Sequence, residues 1–307
     1  MKRLFVGVAL AGLVAAAEPP AAPRRWVPYS PALAELGREL GLEKAVVGVT
    51  RWTRRPPGDR TPVVGDAVSV DLEAMMAARP EVVVRQGGGT DGFDALGRLA
   101  PHIRIETIRL ERLADIPAAA RRLLEVIGGP ADASAIRDFE LVLKATTAAP
   151  AIRPRTLFLL GGDRPLAAGP DTYVGDMIEH VGGINAGADL PGRGAWRAAD
   201  VEGVATARPD LLVCHDDGLA AAEHAAQWWR RRLAGIAKAA PQTIAVSEPE
   251  WRLPSLGVAR LLPRLREAVL AAAAPTRAPD PETRDPRPPD AGVGRTPSPA
   301  PPASASP

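Results

Sequence analysis

Apolar positions along the chain alternate between two periods. Arg25 to Ser30, Arg-Trp-Val-Pro-Tyr-Ser, predicts a first strand. Pro31 to Leu40 then changes to helical spacing, with Leu33, Leu36 and Leu40 on one face. Ser30 stands where a cap belongs, Pro31 suits the first turn, and Gly41 closes the helix. Ala45 to Val49 predicts a buried strand, and Trp52 to Pro62 a polar, Pro-rich, basic loop. The pattern repeats. Asp71 to Ala78 predicts a helix capped by Asp71 or Ser69, with Leu72, Met75 and Met76 inward and Pro80 as its stop. Strand Val82 to Val84, a turn at Gly87-Gly88-Gly89, helix Phe93 to Ala100, strand Ile103 to Ile105 and helix Ile116 to Ile127 follow.

Asp132 to Ala148 differs. Ile136, Phe139 and Leu143 recur at spacings of three and four with no strand nearby, which predicts one helix of about four to five turns. A second series then runs through strand Thr156 to Leu160, helices Tyr173 to Val181 and Asp200 to Ala207, and strand Leu211 to Cys214. It ends with helix Ala220 to Ala234, strand Thr243 to Val246 and helix Leu256 to Leu270. Strands alternating with helices predict parallel sheets. The fold class is therefore α/β: two Rossmann-like lobes, 25–130 and 151–274, joined by one long backbone helix within 131–150.

The ends of the chain carry no such periodicity. Lys2 and Arg3, the apolar run Leu4 to Val14 and Ala15-Ala16-Ala17 form a secretory signal peptide over residues 1–17, too short for a membrane span. Export without a cysteine framework fits a bacterial periplasm, which is the expected location. From Pro275 to Pro307, 11 of 33 residues are proline, and the segment predicts a disordered tail. Net charge is +2, and Lys2 and Arg3 account for it, so strong bulk attraction to nucleic acid is excluded. One cysteine, Cys214, excludes a disulfide framework and a cysteine-cluster metal site.

Four segments resemble the periplasmic substrate-binding proteins of ABC importers for vitamin B12, haem and ferric siderophores, the helical-backbone or class III receptors. The first is Ser30-Pro31 through Leu40-Gly41-Leu42 to Val46-Val47-Gly48-Val49-Thr50. The second is Val64-Gly65, Asp71-Leu72-Glu73 and Arg79-Pro80-Glu81-Val82-Val83-Val84. The third is Ala168-Gly169-Pro170 through Val181-Gly182-Gly183-Ile184-Asn185. The fourth, Val201-Glu202 through Ala207-Arg208-Pro209-Asp210-Leu211-Leu212-Val213, echoes the second. Together they cover about Arg25 to Ala271. Thr50-Arg51-Trp52 with Pro56-Pro57, and Pro249-Glu250-Trp251, are most similar to the cobalamin-binding subgroup.

The resemblance implies a non-enzymatic monomer that captures a metal chelate in the cleft between its lobes and meets an ABC permease at the membrane. It implies ligand contacts from Trp52 and Trp251, whose aromatic faces suit a planar macrocycle. Tyr173, Trp196 and Arg51 are further candidates, with Arg54 and Arg55 able to meet anionic groups. It implies permease docking through Glu73 and Glu202, one per lobe. A corrinoid is the expected ligand. Haem or a ferric siderophore is the alternative, because no aromatic precedes the Glu73 helix, Ser255-Leu256-Gly257 replaces the family's Pro-Arg, and the Arg51 to Arg60 loop is basic.

Other chemistry finds weaker support. Cys214-His215-Asp216-Asp217 follows a strand and lacks metal-ligand spacing. Gly87 to Gly92 lacks the Lys-Ser/Thr of a phosphate cradle, and no nucleophile elbow or Ser-His-Asp order occurs. No resident metal or cofactor is expected. His102 and His180 read as structural and His224 as isolated, although one histidine could ligate haem iron or cobalt. Asp163 and Asp176 show no partner. An exported chelatase-like enzyme, or a module that binds through its proline-rich tail, would be the competing classes.

Overall fold

Ser30 carries out the capping that its position promised. Its Oγ accepts the amide of Leu33, which starts α1 (Pro31–Glu39) directly after β1 (Trp26–Tyr29). The computed structural model describes residues 22–67, 69–87, 91–128, 134–161, 164–236 and 240–273. The predicted signal peptide, the 275–307 segment, Gly88-Gly89 and Asp163 lie outside the described residues. The first lobe continues with α2 (Leu72–Ala78), β2 (Val82–Gln86), α3 (Asp91–Leu99), β3 (Arg104–Ile108) and α4 (Asp115–Ile127). Its sheet is parallel in the order β1-β2-β3, with Trp26 opposite Val82 and Val82 opposite Arg104.

After α5 (Ser134–Thr146) the second lobe runs β4 (Arg155–Leu160), β5 (Leu166–Ala168), α6 (Tyr173–His180), β6 (Ile184–Asn185) and β7 (Trp196–Ala198). It closes with α7 (Val201–Ala207), β8 (Leu211–His215), α8 (Leu219–Ala234), β9 (Gln242–Val246) and α9 (Leu262–Ala273). Its sheet is mixed, in the order β7-β5-β4-β8-β9, with β5 antiparallel to β4 and β7.

The echo between the lobes extends to individual bonds. Asp71 and Asp200 cap α2 and α7, accepting amides of Ala74 and Gly203. Both helices end on a left-handed arginine, Arg79 at φ 50° and Arg208 at φ 46°. The Arg25 amide donates to Glu81 Oε2 at 2.8 Å, and the Arg155 amide to Asp210 Oδ2 at 2.7 Å. The same two guanidinium groups each reach the last helical carbonyl, Ala78 and Ala207, at 2.7 Å.

The lobes are not held together by a helix alone. One buried cluster runs from Trp26, Leu33 and Leu36 through Leu123 and Phe139 to Phe158, Met177, Trp251 and Leu265. α5 packs against α4 and α9 inside this arrangement and is no longer than α4.

Three local expectations need correction. Ala45 to Val49 is not a ladder strand. It makes isolated bridges, Val46 to Trp26 and Val49 to Val63, after a 3₁₀ turn over Glu43–Ala45. Val64 lies where a side chain on Gly48 would stand, so burial rather than sheet pairing holds the run in place. Leu256 to Leu270 is not one helix: Leu256–Arg260 is a 3₁₀ turn and α9 begins at Leu262. Pro263 lacks the amide that would bond back into the preceding turn, so it sits in the first turn of a new helix. Met76, expected inward, is 40% exposed.

Trp26 shows how tightly the α1 junction is made. Its side chain is fully buried and donates to Leu42 O, and a Cβ on Gly37 would lie 2.5 Å from its ring. Gly37→Ala is therefore expected to destabilise the protein by about 1–3 kcal/mol. A lowered denaturant midpoint at unchanged slope would show it; an unchanged midpoint would mean that the indole has room to move.

Candidate ligand cleft

The cleft lies at the carboxyl ends of strands from both sheets, where open α/β folds place ligands. An inner cavity of about 380 Å³ has Pro31, Gln86, Leu110 and Glu111 on one side and Asp171, Tyr173 and Trp196 on the other. An outer cavity of about 570 Å³ has Trp52 and Arg54 facing Asp217, Gly218 and Ser247. The two share Pro31, Arg252 and Leu253 and form one cleft. A groove of about 340 Å³ continues beneath the 51–61 loop, bounded by α1 and Pro249.

Two bonded anchors tie the cleft walls together. Arg112, after β3, grips Asp176 on α6, with Nε to Oδ2 at 2.8 Å, and the Leu113 amide donates to the same carboxylate at 2.9 Å. Asp176 therefore has a partner, one that sequence alone could not supply across 64 residues. At the other anchor, Glu39 at the end of α1 accepts the Leu256 and Gly257 amides, each at 2.8 Å, and Ser255 Oγ at 3.1 Å. It thereby caps the 3₁₀ turn that follows the cleft-lining Pro249 to Pro254 strap.

The candidate residues divide. Trp52 is 69% exposed at the tip of its loop and lines the outer cavity. Trp196, half-buried on β7, lines the inner one and meets Phe158 edge-on at 6.1 Å. Tyr173 borders the inner cavity but is 5% exposed, and its hydroxyl donates to Glu250 O. Burial pushes that phenol well above its usual range. Arg51 is exposed, its amide bonds Gly65 O, and its side chain lines none of the three cavities.

Trp251 is the clear correction. It is 1% exposed, stacked on Phe158 at 5.2 Å, with Nε1 on Glu248 Oε2. The short 3₁₀ turn Pro249–Trp251 aims the indole into the shared core, so its neighbours Arg252 and Leu253 line the cleft instead. Nothing in the local sequence marks those two as cleft residues; the turn alone gives them that place. Arg252 pairs with Asp217 at 2.8 Å. Glu73 and Glu202 are exposed at equivalent second positions of α2 and α7.

No group of three or more His, Cys, Asp or Glu that could hold a metal ion occurs among the described residues. The four histidines are elsewhere than the cleft lining. His102 and His224 are exposed, and His180 Nε2 donates to Leu143 O on α5. His215, 1% exposed, has Nε2 on Glu248 O, and burial holds its ring below the usual pKa. Cys214 is buried, its thiol pushed up to about 12 by burial, with Arg230 pulling the other way.

Glu39 yields a pH test. Burial raises its pKa, while its bonds from Gly257, Ser255 and Leu256 pull it back and Glu35 adds to the rise. The folded protein thus holds this proton more tightly than the unfolded chain. The contribution is full below the ordinary carboxylate pKa and is lost as pH rises through the raised value. Glu39→Gln turns one amide NH₂ toward backbone donors and is expected to cost about 1–3 kcal/mol in mildly acid buffer. The difference from wild type should narrow toward neutral pH, measured by urea unfolding. A difference that widens would reverse this assignment.

The sequence matches no protein-family model. It is 28% identical over 214 residues to a protein of Halobacterium salinarum named "Cobalamin-binding protein", covering 62% of this chain and 53% of the relative. The chain thus spans about half the length of the curated relatives it matches. The periplasmic heme-binding protein RhuT from Roseiflexus sp. RS-1, in apo form, superposes with TM-score 0.63 at 25% identity, over 82% of this chain and 100% of that one. The periplasmic vitamin B12 binding protein BtuF of Vibrio cholerae does so with TM-score 0.65 at 14% identity, over 83% and 100%. By their names these are binding proteins, and no helix among the described residues is long and apolar enough to cross a membrane. With its two α/β lobes and the cleft between them, the chain has the fold of the class III periplasmic binding proteins, the fold that its four sequence segments implied.

Proposed function

We propose that this protein is a periplasmic receptor that captures a corrinoid in its interlobe cleft and delivers it to an ABC importer. The observation that carries the choice of ligand is the placement of the described side chains able to bind haem iron. Haem in proteins is held by His, Cys, Met or Tyr from the polypeptide. Among the described residues the histidines, Cys214, Met75, Met76 and Met177 line none of the three cavities, Tyr29 bonds Ser69 O, and Tyr173, on the border of the inner cavity, spends its hydroxyl on Glu250 O. A corrinoid carries its own axial ligands and needs none of these. It needs broad apolar contact, which Trp52 supplies from one lobe and Trp196 from the other, with Pro31 and Leu253 between them. The curated relatives' name points the same way.

Delivery to a permease rests on Glu73 and Glu202. Exposed and equivalent in the two lobes, they can orient a partner through rim ion pairs. The signal peptide supports a periplasmic location.

Calorimetric titration with cyanocobalamin and, separately, with haemin tests the ligand. Cyanocobalamin is expected to bind, and Trp52→Ala to weaken it about tenfold while leaving thermal stability unchanged. Haemin bound with a coordination shift of its Soret band, and no corrinoid binding, would overturn the reading.

A further inference from the structure

The groove beneath the 51–61 loop is not needed to hold a ring between Trp52 and Trp196. It opens into the outer cavity through Pro31, Arg54, Pro249 and Leu253. Its walls are apolar at Ala34, Val46 and Val49.

Most charges around it are already matched. Arg38 pairs with Glu35, Glu250 with Arg260, and Asp59 accepts both the amide and the hydroxyl of Thr61. Arg55 donates to Thr61 O at 3.1 Å. Arg54 is different: among the described residues it makes no hydrogen bond or ion pair, and it lines both the groove and the outer cavity. Glu43 also lines the groove without a side-chain partner among the described residues, but it does not line the cavity.

We propose that this groove is a subsite for the phosphodiester-linked nucleotide arm of the corrinoid, with Arg54 holding the phosphate at the threshold. The proposal rests on the corrinoid reading above. A guanidinium presents paired donors that match two phosphate oxygens, and this one breaks no existing bond to do so. The apolar walls suit the outward edge of a heterocyclic base that stays bonded to the corrinoid's own metal. Glu43 inside the groove opposes a second anion, so the arm that fits carries one negative charge. Arg54 thereby becomes a specificity residue that separates complete corrinoids from those lacking the arm.

The test compares cyanocobalamin with dicyanocobinamide, which has the ring but no nucleotide arm, by calorimetry on the purified full chain. Wild type is expected to prefer cyanocobalamin by about tenfold or more. In Arg54→Gln the preference falls to about twofold or less, while affinity for cobinamide stays at the wild-type value. Arg54→Lys keeps part of the preference, and raising the salt concentration erodes it in wild type. Equal wild-type affinities, or an Arg54→Gln loss that is the same for both ligands, would overturn the subsite while leaving the corrinoid reading intact. Failure of both corrinoids to bind overturns the corrinoid reading and the subsite together.

Discussion

The buried cluster shared by the two lobes is the constraint on which the rest depends. Residues from the first sheet, from α5 and from the second sheet pack into one interior, with Trp26, Phe139, Phe158 and Trp251 all essentially inaccessible. Close-packed interiors do not deform smoothly, and separating large side chains costs several kcal/mol. The Glu39 and Arg112 anchors act in the same direction, one on the 3₁₀ turn after the strap and the other on α6. The cleft is therefore largely formed before a ligand arrives, which reduces the ordering cost of binding. Adaptation is left to exposed side chains at the rim, Trp52 and Arg54 above all.

The repeat of bonds between the lobes has a second consequence. Arg25 with Glu81 and Arg155 with Asp210 fix the start of one strand to the start of its neighbour. The same guanidinium groups hold the ends of α2 and α7. Each helix is capped by aspartate and closed by a left-handed arginine, so its direction relative to its sheet is determined at both ends. Glu73 and Glu202 inherit equivalent placements from this framework.

Much of this architecture was legible because it rests on local signals. Ser30 and Asp71 announce their helices, Arg79-Pro80 and Arg208-Pro209 announce two strands, and the apolar runs at Val82 and Leu211 read as buried parallel strands. The illegible parts depend on distant neighbours. β5 and β7 are three residues each and pair only with one another and with β4, so their short runs carry no usable period. In the sequence Trp251 reads as a ligand contact because tryptophan suits both a core and a binding face. Only the stacking on Phe158, 93 positions earlier in the chain, decides between them. Arg252 and Leu253 gained their place in the cleft by the same turn that buried their neighbour.

The charge distribution in the cleft supports the choice of ligand independently of the iron-ligand argument. Haem carries two carboxylates, and burying them without partners is costly, so a haem cleft needs uncommitted cations. In this cleft Arg252 is matched by Asp217, and Arg112 lies behind the wall, bound to Asp176 and Asp171. Arg54 alone is free among the described cations that line the two cavities. A macrocycle whose edge bears neutral amides makes no such demand: amides can share donors and acceptors with Gln86, Ser247 and the strap backbone near Pro254. One spare cation is a poor match for two propionates and a good match for a single phosphodiester.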